Sequence, residues 1–271
     1  MRIALKLAYI GSDYHGSQVQ PDVDTVEGQL FRALESLGII SDPHSANYAS
    51  AGRTDARVHA AGQVVAFDTE APNLAIPRVI NSKLPESIWA WAHAEVPDDF
   101  DPRRNAKTRS YRYIMSGENI DISKIRAASR YFTGTHDFLN FCTNDGDRNT
   151  VRTVNRIDIR ISGPLVKIDI DADGFLWNMV RKIVTALRMV GSGVRDIEWV
   201  KQMLDPAIYE EGIEPARAYG LTLMNVDYPT SIEWCVDSYS LRRAHENIQE
   251  KQVYYRIMSE VFDHLVPWPM E

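Results

Sequence analysis

A chain of 271 residues is long enough for one large domain or two of ordinary size. Its 44% hydrophobic and 25% charged residues are typical of globular proteins, and no segment resembles a signal peptide or a membrane span. The formal net charge of −7 argues, taken alone, against nucleic-acid binding, because phosphate contacts need Lys and Arg. Cys142 and Cys235 have neither zinc-site nor disulfide spacing, so we expect a reduced, cytoplasmic protein.

The positive charge is nevertheless clustered in two stretches. Residues 100–115, "FDPRRNAKTRSYRYIM", hold five basic residues and one acidic residue, and residues 176–188, "LWNMVRKIVTALR", hold three basic residues and none that is acidic. A net charge is an average over the surface, and a local patch can differ from it. Composition alone therefore leaves two interpretations equally open: a nucleic-acid interface, or two solvated charged faces.

Residues 1–105 follow the order of a β-α-β-β-α-β unit. The alternation of apolar residues from Ile3 to Tyr9 predicts a strand. Thr25 is a suitable N-cap for a helix that stops at Gly38. The remaining elements are predicted as strands near 46–53 and 62–69, a short helix near 76–83 and a strand at 88–96.

Residues 106–229 repeat this order. The predicted elements are a strand at 107–115, a helix at 121–132, strands at 153–161 and 164–171, helices at 175–190 and 196–204, and a strand at 220–228. We therefore predict an α+β fold in which two ferredoxin-like halves join into one mixed, mainly antiparallel sheet with a central cleft. Residues 230–271 are predicted to form a helical tail.

An aspartate-rich strand suggests a different function, that of a phosphatase. The stretch "KIDIDADGF", residues 167–175, has the D-x-D-G pattern that follows an apolar strand in some phosphatases. Asp169 and Asp171 also alternate with Ile168 and Ile170, so a strand with one exposed face accounts for the same sequence pattern. A phosphatase remains a distant alternative, and magnesium dependence would distinguish it.

Another stretch, "AGRTDARVHA" at residues 51–60, sets a carboxylate between two arginines just before an apolar strand. It resembles the G-R-T-D-x-G-V-H signature of the tRNA pseudouridine synthase A family. Six further stretches resemble that family's motifs in the family's order, namely "YIGSDYHGSQVQ" (9–20), "FDPRRNAKTRSYRYI" (100–114), "GTHDFLNF" (134–141), "RTV" (152–154), "FLWNMVRKIV" (175–184) and "YGLTLMNVDYP" (219–229). Seven ordered motifs over residues 1–229 make the resemblance highly specific.

The resemblance implies the pseudouridine synthase fold and an isomerase that acts on uridines 38, 39 and 40 in the anticodon stem-loop of tRNA. It also implies a homodimer with one tRNA laid across both subunits. The reaction moves the ribose from a nitrogen to carbon 5 of the same base, so it needs neither cofactor nor metal. The alternative is a non-catalytic RNA-binding protein of the same fold.

The resemblance also assigns roles to single residues. Asp55 is the expected nucleophile, although the sequence leaves open whether it attacks the sugar, attacks the base or removes a sugar proton. Tyr111 is expected to stack on the target base, with its hydroxyl placed to help remove the proton at carbon 5, and Arg181 is expected to hold Asp55 through a bidentate ion pair. The predicted substrate-binding residues are Arg53, Thr54, His59, Arg103 and Arg109, and the basic run from Arg103 to Arg112 is expected to hold the RNA backbone.

Two positions depart from the family pattern. Arg57 replaces a Gly and Ser17 replaces a Trp. A Gly in this place would suit a left-handed backbone conformation, in which an Arg is strained. We expect that Arg57 instead has an unstrained conformation and adds a phosphate contact.

Overall fold

The computed structural model describes residues 1–143, 146, 149–208, 212–229 and 231–265. Within these ranges the strands are β1 (Arg2–Tyr9), β2 (Ala49–Ser50), β3 (His59–Asp68), β4 (Ile88–Val96), β5 (Thr108–Ser116), β6 (Gly134–Asp137), β7 (Val151–Ser162), β8 (Leu165–Ala172), β9 (Leu221–Asp227) and β10 (Cys235–Val236). The helices are α1 (Val26–Ser36), α2 (Pro77–Asn81), α3 (Ile122–Phe132), α4 (Met179–Gly191), α5 (Ile197–Met203) and α6 (Ser238–Leu265). None of these helices is long and apolar enough to cross a lipid bilayer.

All the strands belong to one mixed sheet, in the order β10-β4-β1-β3-β9-β5-β8-β7-β6, with β2 paired to β3. The first half has the strand order β4-β1-β3-β2 and the second has β9-β5-β8-β7, the arrangement of a ferredoxin-like unit in each case. The predicted α+β fold is confirmed. The division into residues 1–105, 106–229 and 230–271 stays a prediction.

The two halves meet through β3 and β9, which run parallel with His59 opposite Thr222 and Ala60 opposite Leu223. Close backbone approach at this junction requires Gly62, because a Cβ there would lie 2.5 Å from the carbonyl oxygen of Met224. The parallel pair therefore carries the backbone of one half directly to the other, beside the loop that precedes β3.

Amphipathic helices build the core of each half. Thr25 caps α1 as predicted, its hydroxyl accepting a hydrogen bond from the Gly28 N–H at 3.2 Å. Leu30 and Leu34 on α1 are fully buried in a cluster with Leu5 and Leu7 of β1. The buried residues of α4, among them Val180, Ile183, Leu187 and Val190, pack in a second cluster, which holds most of the core of the second half and extends into the first half. Each such side chain contributes about 1.5–3 kcal/mol when fully buried.

The observed elements differ from the predicted ones in several places. The strand predicted near 46–53 is reduced to Ala49–Ser50, because the chain leaves the sheet there to form the loop that holds Asp55. The helix predicted from 175 begins at Met179, since Asn178 has a left-handed φ of 63° that does not continue a helix. The short strand β6 was not predicted, and its four residues are too few for a clear alternation.

The aspartate-rich strand β8 is a structural element. Asp169 forms ion pairs with Arg112 (2.6 Å) and Arg160, and Asp171 pairs with Arg156 at 2.9 Å. Burial opposes the charge of Asp169, but the two arginines hold its pKa below the usual value. Asp169 is buried, Asp171 is half-buried and Asp173 is exposed, so the expected exposure of this strand face holds only toward its end. Both carboxylates are occupied by arginines of neighbouring strands, which disfavours the phosphatase.

Candidate active site

Asp55 lies at the first position of a tight turn between β2 and β3. The Val58 N–H donates a hydrogen bond to the Asp55 carbonyl at 3.1 Å, which closes the turn over Ala56 and Arg57. Arg57 has a φ of 67°, the positive value that a type II turn requires at its third residue. The turn leaves the Asp55 side chain 29% exposed, so a substrate can reach it.

The loop that follows β1 packs against this turn and holds it through hydrogen bonds. The Ser17 N–H donates to the Thr54 carbonyl at 3.0 Å, and the Thr54 N–H donates to the Ser17 hydroxyl at 2.9 Å. The Arg57 N–H donates to the Tyr14 carbonyl at 3.1 Å. Gly11 lies against the turn, and a Cβ there would stand 2.0 Å from the Val58 carbonyl oxygen. Ser17, in the place of the family Trp, is thus a buried partner of the loop that holds Asp55, a role that the sequence alone did not indicate.

Thr54 supports the loop that holds Asp55. It is buried, and its hydroxyl lies 2.8 Å from that of Tyr9, which is also buried. Burial raises the pKa of Tyr9 to about 12, so this phenol stays protonated and can donate to Thr54. The contact fixes the residue next to Asp55 against the end of β1, and the predicted role of Thr54 in substrate binding receives no support.

Arg181 joins Asp55 to the second half of the chain. Its Nη1 donates to Asp55 Oδ2 at 3.1 Å and to Asn178 Oδ1 at 2.8 Å, and its Nε donates to the Ala216 carbonyl at 2.6 Å. The ion pair is therefore made through a single nitrogen, and the expected bidentate geometry was wrong. The Arg181 side chain is only 18% exposed. Its hydrogen bonds to Asn178 and Ala216 fix the guanidinium where it contacts the Asp55 carboxylate.

Tyr111 lies in β5 within the same region. It is buried, and its ring meets that of Phe175 edge-to-face at a centroid distance of 5.1 Å. Burial, with smaller contributions from Tyr9 and Asp55, raises its pKa well above the usual value. The hydroxyl stays protonated at neutral pH, which favours hydrogen-bond donation over action as a phenolate base. Among the described residues it has no hydrogen-bond partner, so it is available to a substrate.

His59 has no free ring nitrogen. Its Nδ1 accepts from the Gly11 N–H at 3.1 Å, and its Nε2 lies 3.2 Å from the Tyr219 carbonyl, to which it can donate. Burial lowers the pKa of His59, so the neutral ring that these two contacts require is favoured. His59 connects the two halves, and its predicted role in substrate binding stays a prediction that the geometry does not support.

Arg57 does not have the unstrained conformation that we expected. Its φ of 67° lies in the left-handed region, while its side chain is exposed. We expect Arg57→Gly to raise the free energy of unfolding by about 0.5–1 kcal/mol, because Gly adopts this conformation at little cost. If the guanidinium also contacts a phosphate, the slope of log affinity for tRNA against log salt falls by about one. Thermal melts and salt titrations measure the two effects, and a destabilised variant would contradict the strain.

Arg109 is occupied by contacts within the protein, and its role in substrate binding stays a prediction. Its guanidinium donates to the carbonyls of Ala51 (2.9 Å), Arg103 (2.8 Å) and Asp173 (2.9 Å). These contacts join the strand before the catalytic loop to the second half. Arg112, within the basic run, is likewise occupied by Asp169. The side chain of Arg103 is exposed, as are those of Arg104 and Lys107.

We expect Arg109→Met to lower the free energy of unfolding by about 2–4 kcal/mol, since three carbonyls lose a charged donor. Arg103→Met, which removes the same charge from an exposed side chain, should leave stability within about 0.5 kcal/mol and weaken binding of all tRNAs alike. Denaturant unfolding and filter binding separate the two effects. Equal stability of the two variants would show that the Arg109 contacts carry little energy.

Arg53 is exposed in the loop that holds Asp55. The loop thus presents two exposed cations, Arg53 and Arg57, and one half-exposed carboxylate, Asp55, while Thr54 is buried.

The comparisons with known proteins agree with this geometry. A family model described as tRNA pseudouridine synthase matches residues 128–229. The tRNA pseudouridine synthase A of Methanococcoides burtonii is 64% identical over 98% of this chain and 97% of its own length. The proteins of that name from Methanosarcina acetivorans and Archaeoglobus fulgidus are 62% and 43% identical, over 98% and 97% of this chain and 99% and 96% of their own lengths. The chain therefore belongs to the tRNA pseudouridine synthase A family of isomerases.

Proposed function

We propose that the protein converts uridine to pseudouridine at positions 38, 39 and 40 in the anticodon stem-loop of tRNA, with Asp55 as the nucleophile. The observation that carries the proposal is the contact between Asp55 and Arg181, which links the two halves at the catalytic loop. A half-exposed carboxylate held in one orientation by an arginine is what covalent catalysis needs. The family resemblance supplies the substrate and the position on the tRNA.

The reaction is an isomerisation, so every atom of the uridine is retained except for an exchanged proton. The bond from ribose C1′ to N1 breaks, a bond from C1′ to C5 forms, carbon 5 loses its proton and N1 gains one. Attack by Asp55 on the sugar or the base, or removal of a sugar proton, all require the carboxylate to point into the cleft. Arg181 provides that orientation from the second half.

Tyr111 is proposed to contact the target base directly. A uridine inside a stem cannot be reached in place, so it must leave the stack before the reaction. The Tyr111 ring offers a surface for stacking, and its protonated hydroxyl can donate a hydrogen bond to a carbonyl of the detached base. Arg53, exposed beside Asp55, is proposed to contact a phosphate and help hold the base outside its stem.

The exposed cations after β4 are proposed to hold the RNA backbone. Arg103, Arg104 and Lys107 are exposed and lie on the segment that leads to Tyr111. Their arrangement suits phosphate contacts that orient the tRNA without reading its sequence. We further propose, on the family resemblance, that the protein acts in the cytoplasm as a homodimer and that one tRNA contacts both copies.

Tritium release from unmodified tRNA labelled at carbon 5 of uridine tests the proposal. We expect release in the presence of a chelator, since the isomerisation involves no redox change and no donated group and so requires no metal. Mapping the modified positions in the product should place them at 38, 39 or 40. Tight tRNA binding without release would identify the non-catalytic RNA-binding alternative, and modification of another stem would contradict the anticodon assignment.

A further inference from the structure

The segment that leads into β9 is fixed through its backbone. We call residues 214–219 the strap. Four of its six carbonyls accept hydrogen bonds from side chains of other elements, at Glu214 (2.7 Å, from Thr185), Ala216 (2.6 Å, from Arg181), Arg217 (2.8 Å, from Tyr113) and Tyr219 (3.2 Å, from His59). The Ala216 N–H also donates to the Arg181 carbonyl at 3.2 Å. These contacts hold the strap independently of its own side chains, as a rigid support for a binding surface requires.

The strap lies beside Asp55. The Arg181 guanidinium donates to Asp55 through Nη1 and to Ala216 through Nε, so one side chain joins the carboxylate to the strap. At the other end of the strap, the Tyr219 carbonyl contacts His59, the first residue of the strand that follows the Asp55 turn. The strap therefore forms one edge of the site that contains Asp55.

Two side chains of this edge are exposed to solvent. Arg217 is exposed, and Tyr219 is 70% exposed, the largest fraction among the large hydrophobic side chains that the structure describes. Within the described ranges the Arg217 guanidinium makes no hydrogen bond or ion pair, and the Tyr219 side chain makes no hydrogen bond and no contact with another ring. A fixed backbone thus presents a cation and an aromatic ring that are both available to a ligand.

A cation close to an aromatic ring suits RNA. Proteins that bind single-stranded nucleic acid combine basic groups for the phosphates with aromatic rings on which bases stack. When the target uridine leaves its stack, the base beside it loses a stacking partner, and an aromatic ring at the edge of the site can replace that partner. A protein bound to this edge would cover the site that the tRNA has to enter, so RNA is the favoured ligand.

We propose that Tyr219 stacks on a base next to the extruded uridine and that Arg217 contacts a backbone phosphate, so that the strap holds the RNA around the reacting nucleotide. The proposal rests on the proposed function, and it adds two binding residues to which the family resemblance assigns no role. Both residues act in binding and positioning, and the chemical steps remain with the residues named above.

Substitutions at Tyr219 test the stacking. Tyr219→Ala removes the ring, and Tyr219→Phe keeps the ring without its hydroxyl. Both retain the carbonyl that His59 contacts, so neither should change the melting temperature. Binding is measured in the background of Asp55→Asn, in which the tRNA is not consumed. We expect the dissociation constant for tRNA to rise about 10-fold for Tyr219→Ala and to stay within about twofold for Tyr219→Phe.

Substitutions at Arg217 test the phosphate contact in the same background. Arg217→Gln removes the charge, so the slope of log affinity against log salt should fall by about one. Arg217→Lys keeps the charge and should keep the slope. Both variants retain the carbonyl that accepts from Tyr113, so thermal melts should again be unchanged.

The matched controls are Arg130→Gln and Tyr131→Ala. These two residues are exposed neighbours on α3, where the Lys201 ammonium lies 5.0 Å from the centroid of the Tyr131 ring. The same losses of a charge and of a ring should leave the tRNA affinity within about twofold and the salt slope unchanged. If the controls weaken binding as much as the strap variants do, the effect is not specific to the strap and the proposal is overturned.

Fluorescence gives a direct signature of stacking. The fluorescent base 2-aminopurine replaces, in turn, the base on the 5′ side and the base on the 3′ side of the target uridine. Extrusion of the uridine unstacks this base and raises its emission, whereas stacking on an aromatic ring quenches it. With the tRNA saturated by protein, we expect brighter emission at one of the two positions with Tyr219→Ala than with Tyr219→Phe or with tyrosine at residue 219.

The outcomes separate the two contacts from each other and from the reaction. Unchanged affinity of Tyr219→Ala, or equal emission with all three proteins, overturns the stacking, as does a loss for Tyr219→Phe as large as that for Tyr219→Ala. An unchanged salt slope for Arg217→Gln overturns the phosphate contact. Tritium release is scored separately with Asp55 intact. Release by the wild type together with normal binding by the strap variants contradicts the strap alone, whereas specific binding losses without any release contradict the proposed reaction and leave the RNA contact intact.

Discussion

Asp55→Asn should bind tRNA about as tightly as the wild type and form no measurable pseudouridine. The amide has the shape of the carboxylate but is neither a nucleophile nor a base, so turnover should fall by a factor of about 10⁴ or more. The amide oxygen of the variant can still accept a hydrogen bond from Arg181, which keeps the loop in place and limits the loss of stability. Tritium release under single-turnover conditions and filter binding measure the two quantities.

The matched control is Asp13→Asn, an exposed carboxylate in the loop that supports the catalytic turn. The same chemical change there should leave turnover within about twofold of the wild type, because surface substitutions away from special contacts have small effects. Residual turnover of Asp55→Asn within tenfold of the wild type would remove Asp55 from the chemistry.

The fold was predictable to the extent that local patterns decide it. The alternation in β1 and the Thr25 cap of α1 depend on neighbours along the chain, and both appear as expected. The end of β2 and the start of α4 depend on tertiary contacts. The chain after Ser50 is held by the Ser17 contacts with Thr54, and the start of α4 by the left-handed Asn178 that bonds to Arg181. No local sequence pattern predicts where β2 ends or where α4 begins.

The candidate site shows the same division. The pairing of Asp55 with Arg181 was implied by the family resemblance, because both residues lie within recognised motifs. Arg109, Thr54 and His59 lie in motifs as well, but their partners are backbone or side-chain groups distant in the chain, such as Ala51 for Arg109 and Gly11 for His59. A motif identifies residues that matter without telling whether they touch the substrate or support those that do.

Arg57 illustrates a third limit. The family Gly at this position indicated a left-handed turn, and the observed φ of 67° shows that the turn persists although Arg has replaced Gly. The turn is closed by the hydrogen bond to the Asp55 carbonyl and anchored by the hydrogen bond from the Arg57 N–H to the Tyr14 carbonyl. These contacts stabilise the left-handed backbone by more than the conformational preference of Arg57 destabilises it. The loop geometry around Asp55 is therefore retained despite the substitution.

Arg181→Met should lose most turnover with a smaller loss of tRNA affinity. The substitution removes the donors to Asp55, Asn178 and Ala216, so the carboxylate loses its partner and the loop loses its link to α4. Loss of a charged hydrogen bond at a partly exposed site costs about 1.5–3 kcal/mol, which corresponds to a rate about 10- to 100-fold lower if it acts fully in the transition state. Turnover and affinity are measured as for Asp55, with denaturant unfolding as a third readout.

Two further variants decide whether Arg181 acts through Asp55 or only through stability. Arg181→Lys keeps the charge but cannot serve Asp55 and Ala216 together, so its turnover should lie between those of Arg181→Met and the wild type. Arg188→Met removes an exposed arginine from the same helix and should leave turnover near normal. In the background of Asp55→Asn, Arg181→Met should cause little further loss, since residues that act as one unit are not additive. If the losses of the two substitutions add, Arg181 does not act through Asp55. If Arg181→Met alone keeps near-normal turnover, the ion pair between Arg181 and Asp55 is only a structural contact.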